Sequence, residues 1–325
     1  MSTNVSESSQ RGTSRSPLPI IIDCDPGHDD ALALLLALAR PELRVLGVTT
    51  VAGNASLEHT TRNALSVLTL ADRTDVPVAA GADRPLSRPL RSAPEVQGVS
   101  GLEGAELPAP TVGPVDEDAS TLMARLVAES PSPVTLVPVG PLTNIARFLV
   151  DHPDLRSRIA HICLMGGAVW EGNASASAEF NIWVDPEAAA AVFDAGIPLT
   201  MIGLDVTHQA LVTLPETERF AQLGNRTGVI FAGLLRFFAR FHANRYGWDG
   251  APIHDAVAVA HLLPLGLVET RPYRVEVETI SELTRGRTVV DLHALTGLPA
   301  NAEVGVGIDR ERFVELLVKA VATFP

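Results

Sequence analysis

Uniformly apolar, β-rich runs alternate with helix-like segments through most of this 325-residue chain. The first run, LPIIIDC at Leu18–Cys24, lacks the polar alternation of a half-exposed strand, so both of its faces must be covered. A helical pattern follows at Asp29–Arg40, and a second apolar run follows at Arg44–Val51. Because strands that alternate with helices are typical of parallel βαβ units, we predict an α/β fold with a mostly parallel, doubly wound (Rossmann-like) sheet.

The same two patterns recur along the chain. Further strands are predicted at Val134–Val139, Ile159–Met165 and Pro198–Val206. Further helices are predicted at Leu57–Ala71, Ser120–Glu129, Leu142–Val150, Pro186–Ala195 and Ile230–Tyr246.

The C-terminal part changes character. Adjacent strands at Tyr273–Ile280 and Arg287–Leu292, joined by a polar turn near Arg285–Gly286, predict a small antiparallel addition before a last helix at Arg310–Ala322. We expect one domain at residues 18–325, preceded by a disordered Ser-rich tail at residues 1–17. The long Pro/Gly-rich stretch Pro85–Pro114 is of the kind that often carries function.

Composition narrows the classes of partner. A net charge of −13 argues against nucleic acid or an anionic membrane surface, since both attract Lys and Arg. The apolar run Ala31–Ala39 is far shorter than the roughly 20 residues of a membrane helix. Two cysteines, Cys24 and Cys163, form no disulfide framework, and the N-terminus lacks a secretory signal. We therefore expect a cytoplasmic protein.

Polar and glycine-rich segments follow the predicted strands where each strand ends. They are DCDPGHDD, AGN, PVGPLTN and MGG with a long polar loop. In doubly wound sheets, ligands bind at the carboxyl ends of the strands. The sequence therefore predicts an active site at this edge of the sheet.

Four carboxylates lie within the eight residues DCDPGHDD. The turn at Pro26-Gly27 is expected to bring Asp25, Asp29 and Asp30 together, and such a cluster repels itself unless a cation lies between its members. All-oxygen ligands suit Ca²⁺ or Mg²⁺ better than Zn²⁺. The alternative is a solvated, helix-capping acidic turn, which one or two aspartates explain better than four.

A second candidate pair is His254-Asp255, at the start of an apolar helical stretch. By itself Asp255 fits a helix cap, but beside the first cluster it becomes a candidate ligand, and His254 becomes a candidate acid.

The loop at residues 166–185 offers Asn173, Glu179 and Asn181, groups that can bond several hydroxyls of a sugar. An ordinary polar loop is the alternative interpretation. Trp170 and Trp183 either stack on a sugar or base or anchor the loop by packing.

These motifs together resemble the inosine–uridine-preferring nucleoside hydrolase family. DCDPGHDD resembles its signature closely, and the remaining motifs follow in the family's order. They are AGN at 52–54, VPVGPLTNIA at 137–146, MGG at 165–167, GN and EFNI up to 182, and PIHDAVAV at 252–259. The resemblance implies hydrolysis of the N-glycosidic bond of ribonucleosides, a Ca²⁺ cofactor and a homodimer or homotetramer.

The resemblance also implies a role for each residue. Asp25, Asp30 and Asp255, with the backbone carbonyl of Val139, would hold Ca²⁺, and Asp23 would support them. Asp29 would be the general base on the attacking water, and His254 the acid near the leaving base. The ribose hydroxyls would be held by Asn54, Asn173, Glu179 and Asn181.

One position departs from the family pattern. Members commonly carry a histidine in a loop of the form HGxSGL, where this chain has Gln97 followed by GVSGL. Glutamine bonds a base but cannot donate a proton in acid catalysis, so the resemblance leaves the preferred base open. Tyr246 and Trp248 are candidate base contacts, and His242 is a weaker one. A Phe stripe such as that in FFARFHANRYGW is, however, more often core.

Two rival functions fit parts of the pattern. A phosphatase that uses a DxD strand end would require Thr or Val two residues after the second aspartate, where this chain has Gly27. A ribose or nucleoside sensor without turnover would share the fold, but the retained Asp29 and ligand set argue against it. Hydrolysis of a ribonucleoside is the favoured prediction.

Overall fold

The computed structural model describes residues 16–325, so almost all of the predicted tail at 1–17 lies outside the described residues. The strands are β1 (Leu18–Cys24), β2 (Leu43–Thr50), β3 (Val78–Ala80), β4 (Val134–Pro138), β5 (Ile159–Met165), β6 (Leu199–Ile202), β7 (Leu211–Thr213), β8 (Gly250–Pro252), β9 (Val268–Val277), β10 (Thr288–Asp291) and β11 (Ala302–Ile308). The helices are α1 (His28–Ala39), α2 (Leu57–Leu70), α3 (Pro94–Gln97), α4 (Ala119–Glu129), α5 (Thr143–Asp151), α6 (Phe180–Val184), α7 (Pro186–Phe193), α8 (Leu204–Thr207), α9 (Leu214–Ala221), α10 (Arg226–Tyr246), α11 (His254–His261) and α12 (Arg310–Val321), with a 3₁₀ helix at Pro153–Arg158.

The main sheet has nine strands in the order β10-β9-β11-β6-β5-β4-β1-β2-β3. From β11 to β3 every neighbouring pair is parallel, whereas β9 runs antiparallel to both β11 and β10. Strands β7 and β8 form a separate antiparallel pair. The predicted mostly parallel α/β sheet with a small antiparallel addition is confirmed.

Apolar cores lie on both faces of this sheet, as its uniformly apolar strands require. One core packs α1, α2, α10, α11 and α12 against one face, and the other packs α4, α5 and α7 against the opposite face. Every residue of β1 after Leu18 is buried. This two-sided burial is the physical reason for the strand pattern and fits a doubly wound sheet.

Helix α1 begins where the acidic motif predicts. The backbone N–H of Gly27 donates to Asp30 Oδ2 at 2.9 Å, which satisfies one of the free donors at the helix start. Asp29 and Asp30 therefore lie in the first turn, near the positive end of the helix dipole.

The predicted strand Pro198–Val206 is wrong in its second half. Strand β6 ends at Ile202, and α8 begins after Gly203. The backbone of Gly203 lies so close to Gly167 that an added Cβ would be 2.8 Å from the carbonyl oxygen of Gly167. This close approach forces a turn, and the apolar letters LDVT then continue as a helical turn rather than as a strand.

Strand β11 was not predicted from the sequence. It pairs in parallel with β6 and antiparallel with β9, so it joins the parallel sheet to the antiparallel addition. Its sequence AEVGVGI contains Gly305 and Gly307, which weaken the strand pattern because glycine has low strand preference. Across residues 16–325, no helix combines the length and the apolar character that crossing a membrane requires.

Candidate active site

The polar segments after β1, β2, β4 and β5 surround one cavity of about 560 Å³. Carboxylates lie at one part of its wall, and aromatic rings lie at another. Among the residues that line it are Asp29, Asn54, Gln97, Val139, Asn173, Glu179, Asn181, Trp183, His208, His242, Tyr246, Trp248, His254 and Asp255.

Buried carboxylates from two helix starts meet beside this cavity. Asp29 and Asp30 of α1 and Asp255 of α11 each offer an oxygen, and these oxygens lie within 4.8 Å of one another. Asp25 follows β1 and adjoins them, since its backbone N–H donates to Asp30 Oδ1 at 3.1 Å. The structure thus brings Asp25, Asp29 and Asp30 of the acidic motif together with Asp255.

Burial and mutual repulsion raise the pKa of these groups. Burial raises the pKa of Asp29 to about 7, and the nearby Asp30 carboxylate adds to the rise. The pKa values of Asp25 and Asp255 lie well above the usual range for the same two reasons, burial first. A cation between these oxygens would reverse this destabilisation of the ionised forms.

One oxygen of the cluster lacks a protein partner. Asp25 Oδ2 accepts the backbone N–H of Asn54 at 2.6 Å, but Asp25 Oδ1 is buried and has no hydrogen bond. A buried carboxylate oxygen without a donor is costly unless a cation or water bonds it. The Val139 carbonyl beside the cavity accepts from Asn181 Nδ2 at 2.9 Å and retains a second lone pair. A metal ion fits this arrangement, because the Asp25 oxygen has no partner, its neighbours are acidic and all of the available donors are oxygens.

Asp23 lies one layer below, within β1. Its Oδ1 accepts from Thr49 Oγ1 at 2.6 Å and from Asn144 Nδ2 at 2.8 Å. Burial nevertheless raises its pKa to about 7. No role was predicted for Asn144, although it stands in the motif PVGPLTN. Its amide also donates to the Thr50 carbonyl. Asn144 therefore ties β1 to β2 beneath the cluster.

The predicted sugar contacts also brace the loops of the cavity. Asn54 Nδ2 donates to the Asp25 carbonyl at 3.1 Å. Glu179 caps α6, because its carboxylate accepts from the backbone N–H groups of Gly167, Asn181 and Ile182 at 2.9–3.2 Å. Burial raises the pKa of Glu179 to about 7 against these bonds. These side chains are therefore fixed in place at the cavity wall before any ligand arrives.

Asn173 is braced in the same way, because its Oδ1 accepts from the backbone N–H of Phe180 at 2.9 Å. The two loop tryptophans separate. Trp183 lines the cavity, whereas Trp170 is 71% exposed and is not among the lining residues.

Three rings at the end of α10 form an aromatic wall, defined here as His242, Tyr246 and Trp248. The ring centroids of Tyr246 and Trp248 are 4.7 Å apart, and those of His242 and Trp248 are 5.6 Å apart, with planes within 24° in both pairs. A flat heteroaromatic ring can stack on such a wall.

Gln97 lies on α3, across from the start of α1. Its Oε1 accepts the backbone N–H of His28 at 3.1 Å and also contacts His28 Nδ1. A side-chain hydrogen bond from Gln97 opposes the rise in the pKa of Asp29. Gln97 therefore both lines the cavity and braces the first turn of the acidic helix.

His254 opens α11 directly before Asp255. Its Nδ1 lies 2.7 Å from Thr207 Oγ1, and burial lowers its pKa well below the usual range. The ring of His208 lies beside it, with centroids 5.7 Å apart. Neither Thr207 nor His208 was predicted from the sequence. They lie at the end of α8 and directly after it, and the strand predicted at Pro198–Val206 covers most of that helix.

Comparisons with known proteins agree with this geometry. The family model described as inosine-uridine preferring nucleoside hydrolase matches residues 20–315. The chain belongs to this family. Pyrimidine-specific ribonucleoside hydrolase RihA from Shewanella sp. (strain ANA-3) is 53% identical over 94% of this chain and 96% of the relative. The protein of the same name from Escherichia coli (strain SMS-3-5 / SECEC) is 52% identical over 92% and 97%.

A solved structure is similar over the same region. The purine-preferring ribonucleoside hydrolase from Gardnerella vaginalis superposes with a TM-score of 0.88 at 34% identity, covering 94% of this chain and 98% of that one. This nucleoside hydrolase is therefore an enzyme that cleaves the N-glycosidic bond of ribonucleosides. The sensor and phosphatase hypotheses are set aside.

Proposed function

We propose that this nucleoside hydrolase acts on pyrimidine ribonucleosides, with Ca²⁺ held in the carboxylate cluster. The observation that carries the metal proposal is the buried, unpartnered Asp25 Oδ1 among three other buried carboxylates. The base preference rests on likeness: relatives named pyrimidine-specific are 52–53% identical, whereas the purine-preferring enzyme is 34% identical.

The metal would be held by the carboxylates of Asp25, Asp30 and Asp255 and by the Val139 carbonyl. These ligands are all hard oxygens at the end of β1, after β4 and at two helix starts, which is the donor set that Ca²⁺ prefers. When bound, the cation supplies Lewis acidity toward water and sugar hydroxyls. Asp23 carries no ligand role here and holds the strand end below the cluster through Thr49 and Asn144.

Asp29 would act as the general base on the attacking water. It lines the cavity beside Asp30 and Asp255, and with a cation in the cluster its ionised carboxylate would be available to accept a proton from water. Water would attack the anomeric carbon as the C–N bond breaks through an oxocarbenium-like state. Glu179, fixed by three backbone N–H groups, would lie near the positive charge that develops on the sugar.

The ribose would be gripped by Asn54, Asn173, Glu179 and Asn181, all of which line the cavity. The existing hydrogen bonds of these side chains hold them in fixed positions, so little ordering remains when a sugar binds. The preorganised amides and carboxylate favour a ribose with its full set of hydroxyls over a deoxyribose.

The base would stack against Tyr246 and Trp248 and face His254, which would give a proton to the departing nitrogen heterocycle. Burial lowers the pKa of His254, so its protonated form is a strong acid. Gln97 would bond the base or hold the first turn of α1 through His28, and it would not transfer a proton.

The test is the initial rate of ribose release from uridine, cytidine, inosine, adenosine and guanosine, each at several concentrations. We expect kcat/KM for uridine or cytidine to exceed that for every purine nucleoside by about tenfold or more. A purine nucleoside with the highest kcat/KM would overturn the proposed preference, and no ribose from any of the five would overturn the proposed substrate class.

The assembly and the compartment are further predictions. By resemblance we expect a homodimer or homotetramer in the cytoplasm. Light scattering on the eluting protein gives the assembly mass, and a monomer would contradict the first expectation. Cell fractionation tests the second.

A further inference from the structure

His208 lies between the leaving-base end of the cavity and solvent. It lines the cavity, and its side chain is 20% exposed. Its ring meets Trp248 edge-on at 4.8 Å and His254 edge-on at 5.7 Å between centroids. The His208 imidazole thus contacts Trp248 of the aromatic wall and the proposed acid His254, and it is also open to solvent.

The turn that carries His208 is fixed by its own hydrogen bonds. The Asp205 carboxylate of α8 accepts the backbone N–H of Val169 at 2.6 Å and that of Trp170 at 3.3 Å. These bonds attach the sugar-binding loop to α8 and bring Glu171 next to His208, with Glu171 Oε1 3.9 Å from His208 Nδ1. The Glu171 side chain is 77% exposed, so water reaches this pair.

The neighbouring histidines are less suited to exchange protons with water. His254 is buried, and its Nδ1 is engaged by the Thr207 hydroxyl. His242 is buried too, and its Nδ1 lies 3.0 Å from the Phe238 carbonyl. Of the three histidines at this end of the cavity, His208 is the one with both a cavity face and a solvent face.

We propose that His208 is an alternative donor to His254 for the single proton that the leaving base takes up. His208 reaches the base across the cavity and regains its own proton from water past Glu171. This inference rests on the proposed function of the cavity. As the C–N bond breaks, its electron pair stays on the base, and a proton passes from the His208 imidazolium to the base. The neutral imidazole then takes a proton from bulk water, so one proton is consumed and one is returned in each turnover.

The surroundings of His208 suit an acid. Burial lowers its pKa, which strengthens the imidazolium as a donor, while the charges of Glu171 and Asp205 oppose that shift. On its other sides it faces the imidazoles of His242 and His254 and the ring of Trp248. The rate with a base that needs a proton should therefore fall as pH rises through the titration of His208.

The test compares two leaving groups in the full-length His208→Gln enzyme. Uracil needs a proton when it leaves uridine, whereas p-nitrophenolate leaves p-nitrophenyl riboside without one. We expect kcat for uridine to fall about tenfold or more and kcat for the nitrophenyl riboside to stay within about twofold. An exposed histidine of the antiparallel addition gives the matched control, and His293→Gln should change neither rate.

The outcomes separate this inference from the proposed function. If both substrates slow equally, or neither slows, His208 gives the base no proton, and the inference is overturned while the hydrolase stands. If the wild-type enzyme releases no ribose from uridine, it is the proposed function that fails.

If the His208→Gln protein does not fold, a second variant tests the same proposal. Glu171→Gln lies at the surface and removes the nearest charge that supports the imidazolium. We expect the alkaline limb of the uridine kcat–pH profile to move to lower pH at low salt. An unmoved limb would argue against His208 as the donor.

Discussion

The aspartates at the cavity and Asp291 in the C-terminal addition behave in opposite ways. At the cavity, burial and repulsion raise the pKa of Asp25, Asp29 and Asp255. In the addition, Asp291 accepts from the backbone N–H groups of Leu295 and Thr296 and from the Thr296 hydroxyl, which lowers its pKa to about 2.

This difference in pKa shows which carboxylates stabilise the fold and which are buried at its expense. Asp291 stabilises a turn, because its charge is solvated and bonded by donors. The cavity carboxylates are buried near one another with an oxygen unpartnered, so in the absence of a cation their charges oppose folding. Side chains that are costly for the fold lie where a ligand or metal can offset that cost.

The largest predicted effect is the loss of catalysis in Asp29→Asn. We expect kcat for uridine to fall by about a hundredfold or more, because the amide cannot accept the proton of the attacking water. The measurement is ribose release, with circular dichroism to check the fold. Asp291→Asn is the matched control and should retain the wild-type kcat. Near-normal turnover in Asp29→Asn would remove Asp29 from the role of base.

The next largest effect is on KM, and it should differ between two tryptophans. Trp248→Ala should raise KM for uridine about tenfold, since a stacked ring contributes about 1.4 kcal/mol. Trp170→Ala should leave KM unchanged, because that side chain is 71% exposed and does not line the cavity. Steady-state kinetics of both variants tests the contrast. If Trp248→Ala has the same KM for uridine as Trp170→Ala, the base does not stack on the aromatic wall.

A smaller effect concerns stability without metal. In chelator at pH 8, Asp25→Asn should raise the free energy of unfolding by on the order of 1 kcal/mol, because the amide avoids the penalty of either ionising or protonating a buried carboxyl group at that pH. Burial raises the pKa of Asp25 in the folded protein above its value in the unfolded chain. The free energy of unfolding of the wild-type protein is therefore highest below the unfolded pKa, and it falls as pH rises through the folded pKa.

Urea unfolding at pH 5 and pH 8 measures this effect, and the advantage of the variant should shrink at pH 5. Added Ca²⁺ at about 100 times its Kd should stabilise the wild-type protein by about 2.7 kcal/mol and the variant by less. Equal gains would show that Asp25 does not bind the ion.

The smallest predicted effect has the opposite sign. Asp291→Asn should lower the midpoint of urea unfolding slightly, because it weakens the turn that follows β10. A depressed pKa gives stability that is present above the unfolded value near 3.8 and lost as pH falls through about 2. Titrating the midpoint difference between pH 7 and pH 2 checks this, and a difference independent of pH would contradict it.

The parallel core was predictable because its strands are buried on both faces and therefore uniformly apolar. Leu18–Cys24 and Ile159–Met165 have the predicted bounds. The prediction failed where local pattern and tertiary contact disagree. Pro198–Val206 reads as one apolar run, but the close approach of Gly203 to Gly167 ends the strand there.

The residues around the cavity were also predictable only in part, and those that were not predicted are placed there by tertiary contacts. Asp25, Asp29 and Asp30 stand in one dense motif, whereas Asp255 joins them from the start of α11, which follows the antiparallel strand β8. Thr207 and His208 were not predicted, because the apolar pattern continues to Val206 and does not show that a helical turn brings the next two residues to the cavity. Asn144 was hidden because its contact with Asp23 joins residues that are 121 positions apart.

The most direct test of the central claim is ribose release from uridine before and after removal of metal ions. We predict that a chelator abolishes release, that added Ca²⁺ restores it, and that Ca²⁺ fails to restore it in Asp255→Asn. Undiminished release from a chelated protein shown to be free of metal would contradict a cation-dependent hydrolase at the carboxylate cluster.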